Sequence, residues 1–111
     1  MKNAFLAAIV VAAAWVAPLA VAADTPEFTI AIKNHRFEPA EVTVPAGKRV
    51  KLIIDNQDAT AEEFESSELK REKVIAGHSK GIVWVGPLKP GTYPFVGEYH
   101  EDTAKGRLIA K

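Results

Sequence analysis

His100 is the residue with the most chemistry gathered around it. It stands in the run Gly97-Glu98-Tyr99-His100-Glu101-Asp102, between an aromatic stretch and a last apolar one. A neutral imidazole suits Fe, Cu, Zn and Ni, while carboxylate oxygens favour harder ions. Glu98 lies two residues before His100, so both side chains point one way if the strand continues that far. Further back in the chain, His35 joins His100 and Glu98 as a candidate ligand. The chain has no cysteine, and its one methionine is residue 1. A type 1 copper centre needs a thiolate, so that chemistry is excluded, together with thiol catalysis and iron–sulfur ligation. The set points away from copper electron transfer and towards harder metals.

Other chemistries lack their signatures. There is no Cys-x-x-Cys-His, no glycine-rich phosphate loop and no Gly-x-Ser-x-Gly. Fourteen basic and fourteen acidic residues balance, and no basic stripe interleaved with aromatics points to nucleic acid. Glu65, Glu101 and Asp102 read as solvated charges, and His78, following Gly77 in a turn, as ordinary surface. Phe37, Phe64, Phe95 and Trp84 read as core. Tyr99, beside His100, fits a rim contact, a partner anchor or a redox-active phenol.

The elements that must position these groups are strands. Phe28, Ile30 and Ile32 alternate with Thr29, Ala31 and Lys33; Val42 and Val44 flank Thr43; Val50, Leu52 and Ile54 alternate with Lys51, Ile53 and Asp55. Period-two alternation means half-buried strands. Pro45-Ala46-Gly47, Asn56-Gln57-Asp58, Ala76-Gly77, Gly86-Pro87 and Pro90-Gly91 mark turns between them. Glu63 to Ser66 reads as a short strand followed by a loop and a further strand near Lys73, although Ser66 to Lys73 also admits a helical turn. Ile82 to Val85 and Arg107 to Lys111 add strands. Alternation would place His35 on the same face as Phe37, near the end of its strand. Seven or eight such strands imply an all-β, Greek-key antiparallel β-sandwich. Leu88-x-Pro90-Gly91-x-Tyr93 has the form of a tyrosine corner, in which the phenol bonds back to upstream backbone.

The N-terminus reads differently. Lys2 and Asn3 precede an apolar run, Ala4 to Val21, and Ala20-Val21-Ala22 is a small-x-small signal. This pattern predicts a secretory signal peptide over 1–22, a domain over 23–111 and a periplasmic location. The competing reading is a retained membrane anchor, disfavoured by Pro18 near the end of the run. A small domain without disulfides also gains from self-association, so a homo-oligomer is compatible with the sequence.

Phe37-x-Pro39, Val42-x-Val44-Pro45-Ala46-Gly47, Val50-x-Leu52-x-Ile54-x-Asn56, Glu62-Glu63-Phe64-Glu65-Ser66, Pro87-Leu88-Lys89-Pro90-Gly91-x-Tyr93-x-Phe95, Gly97-Glu98-Tyr99-His100 and Ala104-x-Gly106 together resemble a cupredoxin. The resemblance is greatest to a Cys-less periplasmic group that accompanies bacterial high-affinity iron permeases and is similar to the cupredoxin domain of EfeO-type iron-uptake proteins. It implies iron as cofactor or cargo, with copper as a further ion. It also implies a part in ferrous iron binding or oxidation as a ferroxidase component. The implied partners are an inner-membrane iron permease and other iron-uptake components. The alternative is a non-catalytic periplasmic copper(II)-binding protein. Carried over by position, the resemblance sets the first histidine ligand of the copper-carrying relatives at Glu63, the cysteine at Gly97, the second histidine at His100 and the methionine at or near Ala104.

Overall fold

The computed structural model describes residues 12–14 and 25–111. The expected signal peptide, apart from 12–14, lies outside the described residues. Nine strands follow in order: β1 (Glu27–Lys33), β2 (Arg36–Glu38), β3 (Glu41–Val44), β4 (Val50–Asn56), β5 (Glu62–Ser66), β6 (Arg71–Ile75), β7 (Ser79–Val85), β8 (Gly91–Gly97) and β9 (Lys105–Ala110). Among the described residues, one 3-10 turn, Glu98–His100, links β8 towards β9. One sheet runs β2-β1-β4-β7 and the other β3-β9-β8-β5-β6.

The expected sandwich is observed, with one more strand and with mixed rather than purely antiparallel sheets. β1 pairs parallel to β4, placing Phe28 opposite Leu52, and β3 pairs parallel to β9, placing Val42 opposite Leu108. The reason is connectivity. At five of the eight connections the chain changes sheet, so a strand's neighbour is often distant in the chain. Alternation fixes which face a residue occupies, but carries no information about the partner's direction.

Alternation does place the core. Ile30, Ile32, Val50, Leu52, Ile54, Phe64, Phe95 and Leu108 are all buried between the sheets. Phe37, Phe64 and Phe95 meet at ring-centroid distances of 4.9 to 6.2 Å, two of the three pairs edge-on, an arrangement aromatic quadrupoles favour. The Tyr93 hydroxyl donates to the Lys89 carbonyl at 2.7 Å, closing the expected corner. Trp84 departs from expectation. On β7 the residues Gly81, Val83 and Val85 face inward, so Ile82 and Trp84 face out. Trp84 is covered there by the Arg49 guanidinium, 4.2 Å from the ring centre.

Three connections converge at one end of the sandwich: the β1–β2 turn, the β4–β5 loop and the β8–β9 loop. Asn56 anchors the second. It is fully buried, and its side-chain amide donates towards the carbonyls of Thr60, Ile75 and Ala76 while its oxygen accepts from the Asp58 N–H. Thr103 ties the third connection to the first by donating to the His35 carbonyl at 2.6 Å.

Candidate metal centre

His35 is not on a strand face with Phe37. It occupies, with Asn34, the two-residue turn between β1 and β2, and both have left-handed backbone (φ of 53° and 57°). Two positive φ values suit the right-handed twist of a tight hairpin, and Asn and His enter that region more readily than most side chains, though at a cost glycine would not carry. The compensation comes from Asp58. Its carboxylate accepts from the Asn34 and His35 N–H groups at 2.8 and 2.9 Å. Burial pushes the Asp58 carboxyl up, but those backbone donors and the nearby histidines hold it below its ordinary value. The same carboxylate stands 3.5 Å from His35 Nδ1 without a hydrogen bond to the ring, so it positions His35 through the backbone.

The turn brings His35 to His100. The two imidazoles stack with centroids 3.6 Å apart and planes inclined by 15°. Both sit at the protein surface, with His100 the more covered of the two.

The carboxylate that meets them is Glu62, not Glu63. Glu62 is 1% exposed. Its Oε2 lies 2.5 Å from His100 Nδ1, and its Oε1 accepts from the N–H groups of Tyr99 and Glu63 at 2.9 and 3.0 Å. Each oxygen of a deeply buried carboxylate thus has a donor, as burial of a charge requires. His35, Glu62 and His100 each offer one ligand atom, all within 4.8 Å of one another.

Glu63 and Glu98 are brought together elsewhere. Phe64 must face the core, so Glu62 and Ser66 share its inner face while Glu63 and Glu65 point out of the sandwich. A one-residue offset in a strand moves every side chain to the opposite face, and it separates the expected set into two. Glu63 and Glu98 join Glu72 of β6 as a second cluster of possible ligands. The signal for Glu62 was present in the sequence: counting back two from Phe64 gives it. Asp58 and Glu72 had no local signal, because each acts on a residue distant in the chain.

The donor set decides which ions fit. Two imidazoles and one carboxylate suit a divalent ion of borderline hardness. The Glu62–His100 contact is closed in this structure, so an ion held between these two groups would need it to open. The stacked rings must also fan apart. A blue copper centre does not fit. A Cβ on Gly97 would lie 2.6 Å from Ala104 Cβ and 2.7 Å from Glu62 Cδ. The Glu62 carboxyl therefore fills the space a side chain at 97 would need, and Ala104, at the methionine position, is fully buried.

Three comparisons bear on this geometry. The profile of the "Cupredoxin-like domain" family matches residues 6–110. An uncharacterized protein of Rickettsia prowazekii (strain Madrid E) is 47% identical over 83 residues, which are 75% of this chain and 66% of that protein. This chain therefore spans slightly less than two thirds of that relative's length. Among solved structures, the metal-binding domain of the Cu(I)-exporting P-type ATPase CopA of Streptococcus pneumoniae D39 superimposes with a TM-score of 0.68 at 14% identity, covering 77% of this chain and 84% of that one. Auracyanin A, a blue copper protein of Chloroflexus aurantiacus, gives a TM-score of 0.68 at 16% identity, covering 79% of this chain and all of that one.

Proposed function

The chain belongs to the cupredoxin-like family, and from that premise we propose that it binds a divalent transition-metal ion through His35, Glu62 and His100, ferrous iron being the ion the site serves. The observation that carries this reading is the convergence of one donor atom from each of the three residues within 4.8 Å at the sandwich end. Two imidazoles and a carboxylate with open positions are a donor set iron uses. The residues divide the work. Glu62 presents Oε2 while backbone donors fix Oε1. Asp58 holds the turn that aims His35. His100 offers a ring nitrogen beside the Glu62 carboxylate.

Copper(II) is the second reading. It is favoured by the solved neighbours described as copper proteins and by the general order in which nitrogen and oxygen sites bind copper more tightly than iron. Copper(I) is a poor match for a site without sulfur. The wider setting in this proposal is the periplasm, with hand-over of iron to an inner-membrane permease. Its support is the apolar N-terminal run ending in Ala20-Val21-Ala22 and the sequence resemblance given above.

Anaerobic calorimetry with ferrous iron, and separately with copper(II), tests the site. One equivalent of ferrous iron, lost in both His100→Ala and His35→Ala, is the expected result. Metal content of the protein isolated from its own compartment then separates iron from copper. Binding of neither ion would remove the metal reading, and admitting air to the iron-loaded protein tests whether bound iron oxidises faster than free iron.

A further inference from the structure

The outer face of β5 carries the second cluster, and its charges are arranged against ordinary expectation. Glu65 lies directly opposite Glu72 across the β5–β6 ladder, although like charges in that position repel. Phe64 pairs with Gly97 and Glu65 with Val96; continuing that register by one step sets Glu98 opposite Glu63. Glu63 is thus flanked by strands on both sides, each bringing a carboxylate. No lysine, arginine or histidine lies within ion-pair distance of Glu63, Glu65, Glu72 or Glu98 among the described residues.

One atom makes this more than a solvated acidic face. Glu63 is only 8% exposed, and its Oε1 is the one buried side-chain oxygen or nitrogen among the described residues that lacks a hydrogen-bond partner. A buried carboxylate oxygen left unpaired is costly. Ligand oxygens of Glu63, Glu72 and Glu98 lie within 4.8 Å of one another, so the carboxyl that carries the unpaired oxygen faces two further carboxylates. All donors are oxygen and none is imidazole, which suits Mn, Ca or Mg rather than a borderline ion. Three carboxylates at the open edge of a sheet leave the remaining positions to water.

We propose that Glu63, Glu72 and Glu98 form a second cation site, separate from the His35–Glu62–His100 centre, that takes a hard divalent ion of the manganese(II) or calcium class. Glu65 adds negative charge beside it. The two sites back onto each other through β5, where Glu62 faces in and Glu63 faces out. The 3-10 turn joins them a second time, with Glu98 on one site and His100 on the other.

Manganese(II) is the probe, read by electron paramagnetic resonance and calorimetry on the full chain, with calcium as competitor. Wild type should bind one equivalent saturably, and calcium should displace it. Glu72→Gln and Glu63→Gln should each weaken manganese binding by roughly tenfold or more, whereas His100→Ala, which removes none of the three carboxylates, should leave saturable binding in place. Glu72→Gln is the safer variant, since Glu72 is exposed on an edge strand, and melting curves check that each variant folds. The proposal is overturned by no saturable manganese binding below about 1 mM, by binding that both glutamine variants retain, or by binding that disappears with His100. The first and last of these outcomes leave the reading of the histidine site untouched, because that site is scored separately with ferrous iron.

Discussion

Glu62 and Glu63 are neighbours in sequence with the same side chain and opposite circumstances. Glu62 is sealed inside with a donor for each oxygen: two backbone N–H groups on Oε1 and His100 on Oε2. Glu63 is nearly as covered, yet faces Glu98, Glu72 and the Tyr99 phenol and leaves Oε1 unpaired. The first is a finished piece of structure that an ion must open to enter. The second is unfinished without a proton or a cation. The difference teaches that burial alone does not describe a carboxylate; what surrounds it decides whether it stabilises the fold or waits for a ligand.

The largest expected effect comes from breaking the finished side. Glu62→Ala strands the Tyr99 and Glu63 N–H groups, and at about 1–3 kcal/mol for each unsatisfied buried group it should cost roughly 2–6 kcal/mol. Urea unfolding at neutral pH measures it. A midpoint like that of wild type would mean water replaces the carboxylate at no cost.

Gly97→Ala attacks the same side from below. Its Cβ meets Ala104 Cβ and the Glu62 carboxyl at 2.6 and 2.7 Å, and such overpacking costs about 1–3 kcal/mol. Adding Ala104→Gly should recover part of the loss. A double variant no better than Gly97→Ala would place the strain elsewhere.

Asp58→Ala removes the acceptor for two turn N–H groups and should destabilise by about 1–2 kcal/mol. It should also weaken ion binding at the histidine site roughly tenfold or more, because the turn that aims His35 loses its acceptor. Unchanged affinity would show that the left-handed turn holds His35 without help.

The smallest effect distinguishes the unfinished side. Protons shared with Glu98 and then Glu72 push the Glu63 carboxyl up to about 7, while Glu98 is held low by the same partner. An unfolded glutamate ionises near 4.5. Between pH 4.5 and 7 the unfolded chain therefore releases a proton that the folded one retains, so metal-free stability should fall as pH rises through that window. Below 4.5 both states hold the proton and this contribution is fully present. Melting temperatures across the window, with Glu63→Gln expected to flatten the slope, give the check. A wild-type slope identical to that of the variant would remove Glu63 as the cause.

Much of the fold was legible from residue alternation. Ile30, Ile32, Leu52, Ile54, Phe95 and Leu108 lie where the period of two puts them, and Tyr93 makes the corner bond its motif implies. The parallel pairings of β1 with β4 and β3 with β9 were not legible, since pairing across a sandwich joins segments that share no local pattern. Trp84 is the instructive miss in the core. Size and apolarity suggested burial, yet the strict alternation of Val83 and Val85 had already assigned position 84 to the outer face.

The site divides along the same line. Sequence alone determined that thiolate chemistry is absent and that His100 stands among carboxylates near the last strand; the period through Phe64 also gives Glu62 as the inward glutamate, although the family carry-over had pointed to Glu63. Residue types and a two-residue period suffice for those statements. Only the tertiary structure decided that His35 stacks on His100, that Asp58 holds the turn that puts it there, and that Glu72 joins Glu63 and Glu98. Those contacts join residues far apart in the chain. Their distances follow from how the loops close over the end of the sandwich and how β6 lies along β5, which no local sequence pattern encodes.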